Sequence, residues 1–264
     1  SRTTDATVQN RVPTAQASAR LVNDVNASLA SLRGWMLTGN SRFKTERAGV
    51  WADIDKTLAE LDTLSRAWSD TASKDDVAKA KTLLEEFRDA QNTVESIANS
   101  DDQYPASVIL VNTAAPTAAI VVREITALID EEKTLPATRA RKDLLAAMAD
   151  FRGSMALSLA AIRAYLLSGQ VSFRQEFDSR WAVNEARFKL LGDSASLFTP
   201  TQKKAFESLS QARKTFAPLP VRMFDIRESD HFNMANYTLI TEAAPRAGKI
   251  LDILAGSLNA SGNR

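Results

Sequence analysis

Leu32-Arg33-Gly34-Trp35-Met36-Leu37-Thr38-Gly39 and Ile162-Arg163-Ala164-Tyr165-Leu166-Leu167-Ser168-Gly169 are two versions of one octapeptide, 130 residues apart. Continued without a gap, Phe43 meets Phe173, Glu46 meets Glu176 and Trp51 meets Trp181, so that six of the twenty positions 32–51 are identical. Far downstream, Ala114-Ala115-Pro116 recurs as Ala243-Ala244-Pro245 at an offset of 129. Two distant anchors at nearly one offset define a repeat of about 110 residues, from about 20 to 130 and again from about 150 to 258.

The apolar spacing around both octapeptides is helical. Leu21, Val25, Leu29, Leu32 and Met36 step by three or four, as do Ile54, Leu58, Leu61 and Leu64, and then Met148, Phe151, Met155, Leu159, Ile162 and Leu166. Such steps paint one face of a helix. Gly39 and Gly169 sit just past apolar runs, where a left-handed residue closes a helix at least cost. Thr199-Pro200-Thr201-Gln202 offers an N-cap, a proline at the first helical position and a glutamine at the capping-box position. Ser73 before Asp75 and Asp76 reads as another helix start. The segments predicted are roughly 5–38, 42–68, 74–99, 104–134, 138–168, 171–191, 201–216 and 220–258. Four amphipathic helices with short connections close an antiparallel bundle. The repeat therefore predicts an all-α chain of two stacked four-helix bundle modules related by internal duplication. The long first and last helices are expected to run beside each other.

Composition narrows the function. Hydrophobic residues make up 44% and charged residues 25% of 264, the balance of a soluble folded chain. Thirty-three Lys and Arg against thirty-two Asp and Glu leave no basic footprint for nucleic acid. No cysteine is present, which removes disulfides, thiolate metal sites and cysteine nucleophiles. His231 is the one histidine, too few for a Glu-x-x-His di-iron bundle, and it reads as a partly buried structural residue. Asp130-Glu131-Glu132 reads as a solvated helix face rather than a metal site. No phosphate loop, dinucleotide fingerprint or nucleophile elbow occurs. The expectation is a non-catalytic chain without metal or cofactor. The uncharged run from Gln103 to Val122 approaches membrane-spanning length, yet its prolines, Asn112 and small residues favour a core helix.

The remaining candidates form matched pairs. Trp35 with Tyr165, and Trp51 with Trp181, are core residues by the plain reading and walls of an inter-helix pocket by the functional one. Arg33 and Arg163 lie beside apolar stripes. A guanidinium there snorkels outward, pairs with a carboxylate, or holds an anionic ligand.

The motif L-R-x-W/Y-M/L-L-T/S-G closing a first helix, once per repeat, resembles the helical bimodular sensor domains of bacterial chemoreceptors and sensor histidine kinases. The resemblance covers nearly the whole chain. It implies an extracytoplasmic, periplasmic sensor tethered by a transmembrane helix on either side. Such a sensor binds a small molecule, organic acids among the classes known, and signals through its terminal helices. Arg163 matches an arginine that organic-acid binders carry before the aromatic of the second motif. Relatives of that kind also carry two arginines three apart earlier on the first helix, where this chain has Leu29 and Leu32. The site this implies comprises Arg33, Trp35, Trp51, Arg163, Tyr165 and Trp181. A homodimer is the expected state, and the alternative is a helical rod that senses through a periplasmic partner protein.

Overall fold

The computed structural model describes residues 2–258, with side chains described for 12–256. Every regular element among them is helical. In chain order they are α1 (Arg2–Thr38), α2 (Arg42–Ser65), α3 (Thr71–Ile97), α4 (Pro105–Ile109), α5 (Ala115–Glu132), α6 (Arg139–Ser168), α7 (Val171–Asp193), α8 (Pro200–Phe216), α9 (Leu219–Arg227), α10 (Met234–Thr238) and α11 (Ala244–Ile253). A π-helical turn joins α4 to α5 and another joins α10 to α11. Both precede the recurring Ala-Pro pair. Pro116 and Pro245 lack an N–H and crowd the carbonyl one turn back, so the helix widens there. The N–H of Ala115 then reaches the Leu110 carbonyl, and that of Ala244 reaches Leu239.

The predicted helix ends hold where the chemistry is local. Thr199 and Gln202 form the reciprocal capping box. Gly39 and Gly169 have φ of +65° and +69°, and their N–H groups donate to the carbonyls of Trp35 and Tyr165. A second cap follows in each case: Asn99 Nδ2 donates to the Trp35 carbonyl and Arg227 Nε to the Leu166 carbonyl. A β-branched side chain resists positive φ, so Gly39→Val and Gly169→Val are each expected to cost more than about 1 kcal/mol. Urea titrations of both variants check this, and parental midpoints would show that the glycines are merely small.

Two ends differ from expectation. Asp70, not Ser73, caps α3 by accepting from the Ala72 N–H, while Ser73 is buried and donates to Asp70. An aspartate three residues earlier satisfies the free N–H groups first. The expected segment 220–258 is interrupted between α9 and α10, where Glu228-Ser229-Asp230-His231-Phe232 turns on side-chain and backbone bonds and Asn233 caps the restart.

The helices sort into two compact units. The described residues up to Gln103, with those from Asn233 onward, form the first, and Tyr104–Phe232 forms the second. In the first, α1 pairs with α2 across the Gly39 turn, and α3 packs against α10 and α11. Its core joins Leu21, Val25 and Leu32 to Ile54, Leu84, Phe87, Leu239 and Ile250. In the second, α6 pairs with α7 across the Gly169 turn while α5 packs on α6 and α8. Met148, Phe151, Ile125, Leu209 and Phe216 lie at its centre.

Units and sequence repeats therefore do not coincide. Each repeat gives three helical segments to one unit, and its fourth belongs to the other. The expectation that each repeat closes its own bundle is corrected on this point. An apolar stripe carries no label for its partner, and α5 and α11 present stripes of the same kind.

The segments Pro105–Glu132 and Arg139–Ser168 are long and apolar enough to cross a membrane by length and composition. Both contribute side chains to the core of the second unit. Glu132 is buried there, which corrects the reading of Asp130-Glu131-Glu132 as a wholly solvated face. Arg141 and Gln202 each donate to its carboxylate at 3.0 Å.

Candidate functional site

Trp51 and Trp181 occupy matched positions on α2 and α7, each against a phenylalanine of the third helical segment. Trp51 lies 5.7 Å from Phe87, and Trp181 lies 5.5 Å from Phe216. The helix caps Asp70 and Thr199 share the offset of 129 that relates those phenylalanines, which registers α3 on α8. Around this shared frame the two units place different polar groups.

In the first unit the group is Arg47, one turn before Trp51 on the buried face of α2. Its Nε donates to Glu95 Oε2 at 2.5 Å, Nη1 to Gln91 Oε1 at 3.1 Å and Nη2 to Asn92 Oδ1 at 2.7 Å. The Trp51 indole also donates to Gln91 Oε1, and Gln91 Nε2 donates to Ser28 Oγ, both at 2.8 Å. Ser28 in turn donates to the Val25 carbonyl. Every member has a partner, as a buried polar network requires. At the matched positions the second unit has Phe177 and Phe224, ring against ring at 5.1 Å, where the first has Arg47 and Glu95.

In the second unit the polar group lies one layer further along. Asn184 Nδ2 donates to the Phe151 carbonyl and to Ser154 Oγ, and Asn184 Oδ1 accepts from Arg213 Nε at 2.9 Å. The Arg213 guanidinium lies over the Trp181 ring at 4.4 Å and the Phe188 ring at 4.5 Å. Burial lowers its pKa, with Glu185 acting in the opposite direction. Here the first unit has Ile54 and Leu84, both buried.

The expected site residues fall in both units. Trp51 and Tyr165 are buried, and Trp35 and Trp181 are half-buried. Trp35 donates to the Glu95 carbonyl and carries Lys44 over its ring. Tyr165 donates to Glu228 Oε1 at 2.7 Å, and Arg174 pairs with the same oxygen. Those two donors, Arg174 first, hold the Glu228 carboxyl below its usual range. Arg33 and Arg163 are exposed, and their side chains make no hydrogen bond or ion pair among the described residues. Both snorkel outward, as the first of their three readings allowed, and neither guanidinium sits where helices converge. His231 is exposed as well, which corrects its reading as partly buried. No cluster of three or more metal-ligating side chains occurs among the described residues.

A polar cleft of about 330 Å³ opens between α1 and α2, lined by Arg20, Asn23, Asp24, Asp53, Lys56, Thr57 and Glu60. Arg20 pairs with Glu60 across it. Burial, and secondarily the charge of Asp53, raises the pKa of Asp24. A carboxyl whose folded pKa is raised favours the protonated fold, so its contribution is lost as pH rises through that pKa. Asp24→Asn is therefore expected to melt higher than the parent at neutral pH and level with it well below the ordinary carboxylate range. A difference that persists in acid would point to packing instead.

Sequence reasoning passed over Arg47, although a signal was there: it lies four before Trp51 and seven before Ile54, on the buried stripe. Arg213 follows Leu209 by four and precedes Phe216 by three, the same local signal that Arg33 gives after Leu29 and before Met36. The cleft residues are ordinary charged positions in sequence. No family model matches the chain, and no curated protein matches it.

Proposed function

We propose that this chain is the ligand-binding sensor domain of a membrane-tethered bacterial signalling receptor, facing the periplasm as a dimer and itself non-catalytic. The receptor's output is a histidine kinase or a methyl-accepting module. The observation that carries the reading is the membership of the first unit. It contains both the first helix of the chain and the last, packed against each other, with all of Tyr104–Phe232 inserted between them in sequence. A ligand that shifts the packing inside this first unit changes the relation of its first and last helices, and packed bundles switch rather than deform continuously. The octapeptide resemblance supports the same role.

A thermal-shift screen of organic acids, amines and neutral metabolites tests it. A ligand at 100 times its Kd adds about 2.7 kcal/mol, which raises a midpoint by several degrees at about 2–4 °C per kcal/mol. A flat response to every class would overturn the small-ligand reading. The second reading, a surface for a periplasmic protein, is favoured by one observation. Leu37 and Leu167, at matched positions, are 88% and 87% exposed. Leu37→Ser with Leu167→Ser is expected to leave melting unchanged and to abolish capture of such a partner if that reading holds.

A further inference from the structure

The polar cleft between α1 and α2 holds charges of both signs that find no partner among the described residues. Arg20 is committed to Glu60. Asp24 on α1, and Asp53 and Lys56 on α2, line the same cleft, yet their side chains make no hydrogen bond or ion pair among the described residues. Asp53 and Lys56 stand three apart, a spacing at which opposite charges on a helix pair readily. Asp24 is half-buried and feels the like charge of Asp53. The bundle has no structural need of these charges. At an offset of 130 the second unit has Gly153 for Asn23, Val183 for Asp53, Ala186 for Lys56 and Leu190 for Glu60, on the equivalent helices α6 and α7. The cleft also continues into a groove of about 670 Å³, which shares Arg20, Lys56 and Glu60 with it and adds Pro13, Ala59 and Leu64. A cleft with unanswered charges of both signs and a partly apolar groove thus adjoin along one pair of helices.

We propose that this cleft binds the zwitterion of a free α-amino acid with an apolar side chain, resting on the reading of the chain as a small-ligand sensor. The ammonium group enters between Asp24 and Asp53 and donates to both carboxylates, which relieves their mutual repulsion through charge-assisted bonds. The ligand carboxylate turns to Lys56 Nζ, a compact charge with three donors. Lys56 lines both spaces, so a side chain that starts beside it extends into the groove, toward Ala59 and Leu64, and gives up water there. The mixed lining selects this class over its neighbours. A bare amine leaves Lys56 unanswered, and a simple organic acid is repelled by two carboxylates. A metal ion lacks ligands, since no group of three or more metal-ligating side chains occurs among the described residues.

The test is titration calorimetry and thermal shift with L-leucine, L-methionine and L-phenylalanine. The controls at equal ionic strength are 3-methylbutylamine and 4-methylpentanoate, which each keep one charge of leucine, and calcium chloride. Asp24→Asn removes one carboxylate charge at constant size, and Asp53→Val with Lys56→Ala copies the second unit at two exposed positions. Both variants are expected to keep parental helicity by circular dichroism. The expected result is a raised midpoint with at least one of the three amino acids, with affinity at least tenfold weaker in both variants and for both single-charge analogues. Equal affinity in the variants would overturn this site and leave the sensor reading standing. An amine that binds as tightly as the amino acid would overturn the zwitterion, as would a response to calcium or to 4-methylpentanoate alone. Silence toward all three amino acids would overturn the proposal, and the sensor reading then stands or falls with the wider ligand screen.

Discussion

Arg47→Ala is expected to lower the stability of the first unit by about 3–5 kcal/mol, the usual cost of removing one partner from a buried ion pair. The reason is what remains behind. Glu95 keeps a largely buried carboxylate without its partner, and Gln91 and Asn92 each lose a donor. Chemical denaturation read by tryptophan fluorescence measures it, since Trp51 shares Gln91 with Arg47. The second unit suggests the rescue. At the matched positions it has Phe177 and Phe224, so Arg47→Phe with Glu95→Phe is expected to recover most of the loss. A single variant within about 1 kcal/mol of the parent would mean that water replaces the guanidinium and that the network contributes little.

Phe87→Ala and Phe216→Ala are each expected to cost about 3–5 kcal/mol, from lost transfer free energy plus the cavity left under the matched tryptophan. Both rings are fully buried, Phe87 against Trp51 and Phe216 against Trp181. Because the two lie in different compact units, each variant is expected to broaden melting into two steps, with the damaged unit leaving first. Single sharp transitions at a common lowered midpoint would show that the units unfold together.

How much of this was legible follows from the range of the interactions. The Thr199–Gln202 capping box, the left-handed Gly39 and Gly169 and the stripes of α1, α2 and α6 depend on residues within a turn or two of each other. They could be read from spacing alone. The same holds for the matched tryptophans and for the recurring Ala-Pro pair, although spacing did not announce the π-helical turn before each proline.

Partner choice was not legible, because a helical stripe specifies a face and not what covers it. Leu29-x-x-x-Arg33-x-x-Met36 and Leu209-x-x-x-Arg213-x-x-Phe216 have one local pattern, yet Arg33 is exposed and Arg213 is buried. The difference is the α7 face bearing Trp181, Asn184 and Phe188, which closes over Arg213. The fourth helices α5 and α11 pose the same problem on a larger scale. Their own residues determined that they are helices and which side is apolar. Only the tertiary structure decided that each joins the unit built from the other repeat. Hydrogen bonds and side-chain stagger act within a helix, whereas the burial that selects a neighbour is non-directional and is settled by the whole packed unit.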